Sequence, residues 1–92
     1  MIGAELHLTG QLTSDTMLAW ICHRARLLDL RGSVAPQKDH SIKVTVMGPE
    51  ALIDAMEVAC LLGPQDVWVA AINRTDIPVD QHTNGFVINT SR

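Results

Sequence analysis

The chain has 92 residues, 47% of them hydrophobic and 18% charged, a balance that excludes disorder and leaves room for one hydrophobic core, so a single domain over residues 1–92 is predicted. A formal charge of −3, seven scattered Lys and Arg residues, and two Trp and one Phe with no Tyr argue against a nucleic-acid surface. The longest apolar runs, MLAWIC (17–22) and VWVAAI (67–72), are too short to span a bilayer, so no membrane insertion is expected.

Residues 4–9 alternate, with Leu6 and Leu8 on one face and Glu5, His7 and Thr9 on the other, which predicts a half-buried strand ended by Gly10. Thr13, Ser14 and Asp15 supply N-cap candidates for a first helix of about 14 residues, whose apolar stripe is Leu18, Ile21, Cys22, Ala25 and Leu28. A short strand follows over 32–36 and must stop at Pro36, which has no N–H to donate. The segment QKDHS then makes a hairpin turn into a strand over 41–47, where Ile42, Val44 and Val46 share one face. Pro49 and Glu50 open a second helix with a stripe of Leu52, Met56, Ala59 and Cys60, and Gly63-Pro64 stops it. VWVAAI is a fourth strand, residues 74–84 a polar loop, and Phe86 with Ile88 a closing strand.

The predicted order is therefore β-α-β-β-α-β plus a short terminal strand. Right-handed crossovers place both helices on one face of an antiparallel sheet, which makes an α+β, ferredoxin-like sandwich. Cys22 and Cys60 fall on the two helical stripes with no ligand spacing and are read as packing residues of a reducing, cytoplasmic protein. The N-terminus, MIGAELHL, has no basic segment followed by a long apolar one, which agrees with that compartment. His7, His23, His40 and His82 lie on a strand, a helix, a turn and a loop without i, i+4 spacing, so neither a metal nor a cofactor is expected. The sequence does not say which of Ser14, Ser33, Ser41 or Ser91 would meet a histidine, so no serine-histidine-acid site is assigned.

The residues also resemble the acylphosphatase family along the chain. The family's phosphate loop, G-x-V-Q-G-V-G-F-R, corresponds to GQLTSDTML (10–18). Its G-W-V-x-N strand corresponds to RGSVAP (31–36), and its D-G-S-V-E-V hairpin to DHSIKV (39–44). The resemblance implies the same sandwich and a hydrolase of acyl phosphates, in which loop N–H groups and one arginine hold the phosphate while an asparagine positions the attacking water. In this sequence Leu18 stands at the arginine position and Pro36 at the asparagine position. Ser14 and Thr16 replace two loop glycines, Thr13 the glutamine and Met17 the phenylalanine, and Asp15 sits mid-loop.

These departures bear directly on the chemistry. Leu18 has no hydrogen bond or charge to offer a phosphate, and Pro36 has no side-chain amide to hold water. The Asp15 carboxylate would satisfy loop N–H groups internally and repel an anion. Three readings stand open: a family member without catalysis that acts in binding or protein interaction; an atypical acylphosphatase in which Arg24, Arg26, Arg31 or Lys38 substitutes; and a small-molecule sensor built on loop 13–18 with Thr13, Ser14, Asp15 and Thr16 as ligands. Trp68 is expected on the open face of the sheet near Met47 as a contact surface, with a homodimer through that face or a sheet edge among the arrangements it allows. The physiological partner is not readable from the sequence.

Overall fold

Alternating burial sets the central strands. In the computed structural model, which describes residues 1–12, 15–65 (Asp15 by its backbone only) and 67–89, Leu6 and Leu8 of β1 (Ile2–Gln11) and Val44 and Val46 of β3 (Ile42–Gly48) are fully buried on the same face. Each such side chain contributes roughly 1.5–3 kcal/mol on burial, and a one-residue slip would exchange Leu6 and Leu8 for Glu5 and His7. The β1 to β3 register is held accordingly, with Leu6 opposite Val44 and Leu8 opposite Ile42.

The remaining elements are α1 (Asp15–Leu27), β2 (Arg31–Pro36), α2 (Glu50–Leu62), β4 (Trp68–Ile77) and β5 (Phe86–Ile88). They form one five-stranded sheet in the order β4-β1-β3-β2-β5. The first four strands pair antiparallel, whereas β5 runs parallel to β2, so the predicted antiparallel sheet is in fact mixed. Both helices pack on the face carrying Leu6 and Val44, α1 over β2 and β5, α2 mainly over β4. Met17, Ile21, Ala25, Ile53, Met56 and Cys60 close the core from above. In α2 the deepest aliphatic residue is Ile53, while the predicted Leu52 is half-buried, because the helix turns its 53, 56 and 60 positions toward the sheet.

Pro49 is the N-cap of α2, and its carbonyl accepts from the N–H groups of Leu52 and Ile53. Gly63, at φ 62°, ends the helix with its N–H on the Ala59 carbonyl.

Two strand boundaries differ from the sequence reading. β1 does not stop at Gly10: a bulge between Thr9 and Gly10 carries pairing on to Gln11. A Cβ on Gly10, at φ 142°, would lie on the Trp68 carbonyl oxygen, so the bulge requires glycine. Residues 74–77, read as loop, continue β4 and pair with β1 through Gly3 opposite Ile77. Their polarity is compatible with a strand because Arg74, on the helix side, donates to Asp54 at 2.6 Å and Glu57 at 3.2 Å, bracing α2 over β4. Among the described residues no helix is long and apolar enough to cross a membrane.

Candidate functional site

Register brings the two positions of interest to one end of the sheet. Ile42 stands opposite Leu8 on one side and Pro36 on the other, so the chain leaving β1 and the end of β2 emerge together. Trp68, the first residue of β4, pairs with Gln11 at this same end and is 63% exposed. It is therefore far from Met47, which pairs with Gly3 at the opposite end and accepts the Asp80 N–H on its sulfur at 3.0 Å. The expected proximity of Trp68 and Met47 is corrected by the length of β1 between their partners. Val69 is buried in the core, and Val67 and Ile72 pack against it.

Leu18 is half-buried and packs on the core, and Met17 beside it is fully buried. Thr16 is exposed on the first turn of α1. Thr13 and Ser14, and the side chain of Asp15, lie outside the described residues, so the loop proposed as cradle or sensor site is described only at its flanks. Pro36 is exposed and lines an open cavity of about 840 Å³ on the sheet face opposite the helices. The floor of this cavity is Glu5, His7, Lys43, Asn73 and Thr75, and its wall is the hairpin loop from Pro36 to Ser41.

A hydrogen-bonded chain crosses this cavity. The Ser41 hydroxyl donates to Asp39 Oδ1 at 2.5 Å, the Ser41 N–H donates to the same oxygen at 3.0 Å, and His7 Nε2 lies 2.8 Å from Ser41 Oγ. A hydroxyl has one proton, and here it points to the carboxylate, so His7 Nε2 carries hydrogen and donates to Ser41. In a nucleophilic site the imidazole accepts the hydroxyl proton instead. The chain is thus a strut tying the hairpin loop to β1, not an activated serine. Lys43 and Glu5 form a loose ion pair at 3.6 Å on the floor.

The Ser41 hydroxyl, followed by the Ser41 N–H, holds the Asp39 carboxyl below its ordinary range. A depressed native value means that the contribution of Asp39 to stability is present above its unfolded value and is lost as pH falls through the native one. Ser41→Ala is expected to raise the Asp39 titration midpoint toward that of a free aspartate, as read by carboxyl ¹³C NMR. An unchanged midpoint would contradict this assignment.

The four cations considered as substitute phosphate binders are dispersed. Arg24 stacks over Trp20 at 4.3 Å, Arg26 donates twice to the Phe86 carbonyl, and Arg31 donates to the Thr83 carbonyl. Lys38 lines the cavity beside Pro36. Cys22 and Cys60 are free and buried, and burial pushes the Cys60 thiol up to about 12, so it stays protonated. No grouping of three or more His, Cys, Asp or Glu suited to a metal occurs among the described residues.

The link from Asp39 to Ser41 spans two residues, the local signature of an Asx turn, and was open to sequence reading. Its extension to His7, 34 residues away, depends on sheet register.

A family model described as acylphosphatase matches residues 4–88. The chain is similar to the acylphosphatase of Rhodopseudomonas palustris, 26% identical over 68 residues that cover 74% of this chain and 69% of that protein. It is likewise similar to the acylphosphatase of Rhodospirillum rubrum, 28% identical over 72 residues that cover 78% and 79%. Its fold matches crystallised Bacillus subtilis acylphosphatase with a TM-score of 0.91 at 19% identity, covering 97% of this chain and 99% of that one. An acylphosphatase from Coxiella burnetii matches at 0.89 and 17% identity, covering 96% and 92%.

Proposed function

The chain belongs to the acylphosphatase family, and on that premise we propose that it is a cytoplasmic member that has lost hydrolytic chemistry and serves in binding. The observation that carries this reading is Leu18. A leucine packed against the core occupies the position where the family resemblance places the phosphate-binding arginine, and an aliphatic side chain supplies neither charge nor bidentate hydrogen bonds to a phosphate. Pro36, at the water-positioning place, adds a second loss.

A second reading, an atypical acylphosphatase, is favoured by the names of the relatives and by Lys38 beside Pro36 in the cavity. Titration of the ¹⁵N-labelled chain with inorganic phosphate separates the two. The binding reading predicts no saturable shift of the amides of residues 12–18 up to about 10 mM phosphate. Saturation confined to those amides would favour the enzyme.

A further inference from the structure

The open cavity gathers charges of both signs that bonds within the chain do not saturate. Glu5 and Asp39 bring carboxylates to it and Lys38 and Lys43 bring ammonium groups, so the formal charges of these four cancel. On the floor His7 stands opposite Lys43 on one side and Asn73 on the other, which makes a row of amide, imidazole and ammonium across β4, β1 and β3. Glu5 lies two residues back along β1, and its carboxylate is 3.6 Å from the Lys43 ammonium. That is longer than the roughly 2.7–2.9 Å of a charge-assisted hydrogen bond. Neither group has another partner among the described residues, although an ammonium offers three donors and a carboxylate about four acceptor positions.

The wall is fixed by its own bonds. The Gln37 N–H donates to the Ser41 carbonyl at 2.9 Å, the His40 N–H to the Gln37 carbonyl at 3.2 Å, and Gln37 Nε2 to the Ala35 carbonyl at 3.1 Å. Both bonds that Asp39 accepts from Ser41 end on Oδ1. Gln37 Oε1 and Asp39 Oδ2 are left as acceptors. The strut does the same to His7: its hydrogen is on Nε2, so Nδ1 of the neutral ring is an acceptor as well.

We propose that this cavity binds a free α-amino acid whose side chain donates hydrogen bonds, as a carboxamide or a hydroxyl does. In such a zwitterion the ammonium nitrogen and the carboxyl carbon are only about 2.5 Å apart, joined through one carbon. With its carboxylate on Lys43 and its ammonium on Glu5, four charges alternate in sign around a square, and the loose ion pair takes up the ligand without breaking. The three ammonium hydrogens meet three acceptors, Glu5, His7 Nδ1 and Asn73 Oδ1. Lys38 supplies a second cation for the carboxylate, and Gln37 Oε1 with Asp39 Oδ2 receives the side chain.

Charge decides against the alternatives. A simple anion meets Glu5 and Asp39, and a simple cation meets Lys38 and Lys43, whereas the zwitterion matches both signs. Among the described residues no aromatic side chain lines the cavity, so a nucleobase has no face to stack on. The inference rests on the binding reading, which hydrolysis of benzoyl phosphate tests separately.

Titration of the ¹⁵N-labelled chain with L-glutamine up to about 50 mM, beside acetate and methylammonium at matched ionic strength, tests it. Saturable shifts are expected at the amides of residues 5–7, 37–43 and 73–75, with half-saturation at about 1–10 mM and at least tenfold weaker effects from either single-charge control. Glu5→Gln and Lys43→Met are each expected to weaken binding at least tenfold. Asn73→Ala, at an exposed position of the edge strand, is expected to weaken it severalfold and guards against a folding defect in the other two. Glu50→Gln, at the start of α2, is expected to leave it unchanged. Absence of saturable shifts at about 50 mM overturns the proposal. Acetate or inorganic phosphate acting as strongly as glutamine at the same amides makes the cavity an anion site and overturns it equally, as does binding indifferent to the Glu5, Lys43 and Asn73 variants.

Discussion

Gly32→Ala is expected to destabilise the protein by about 3–5 kcal/mol, a large share of the roughly 5–15 kcal/mol that holds a domain folded. Gly32 lies inside β2 at φ 139°, a backbone conformation that side chains rarely adopt. A Cβ there would fall on the Thr45 carbonyl oxygen and within 2.8 Å of the Thr45 carbonyl carbon. Both atoms belong to the backbone of β3, the middle strand, so no side chain can rotate out of the way. Gly32 is also clamped from the other side, because its N–H donates to the Gly85 carbonyl at 3.0 Å where β5 begins. Backbone strain of about 1–3 kcal/mol and overpacking of similar size combine here. Urea unfolding of the native and variant chains measures the loss, and a difference below about 1 kcal/mol would contradict the strand geometry.

How far the sequence could be read depended on whether one face of an element is buried. Leu6 with Leu8 and Ile42 with Val44 and Val46 alternate because their faces are sealed under the helices, and those strands were legible with their correct sides. The second half of β4 was not. As the edge strand it has Asn73 and Thr75 in solvent, and its helix-side Arg74 is reconciled with the strand only by Asp54 and Glu57, acids on an element 20 and 17 residues away. Gly10 looked like a terminator since glycine ends many strands, whereas here it permits a bulge. The parallel pairing of β5 follows from where the 78–85 segment recrosses the sheet, which no local pattern encodes. The same holds for the cavity, since Glu5, His7, Pro36, Ser41 and Asn73 gather there only through strand register. Leu18 and Pro36 stood out in the sequence because the family resemblance marks their positions, and the structure adds that one is packed on the core and the other exposed at the cavity.

The largest effect expected of any substitution is a gain of chemistry. Restoring the family's groups with Leu18→Arg and Pro36→Asn supplies a bidentate donor for phosphate and an amide for water. Each transition-state donor of this kind is typically worth about 10²–10³ in rate. Because such groups act as a unit, either substitution alone is expected to recover little. The half-buried Leu18 site tolerates the change if the arginine stem keeps the apolar contacts and its guanidinium reaches solvent, which circular dichroism of the variant checks beforehand.

The measurement that decides the central claim is hydrolysis of benzoyl phosphate by the native chain beside this double variant. Native turnover indistinguishable from buffer, with at least about a 10²-fold rise in the variant, is the predicted result. Robust turnover by the native chain would contradict it, and would mean that another group, with Lys38 the first to replace, holds the phosphate.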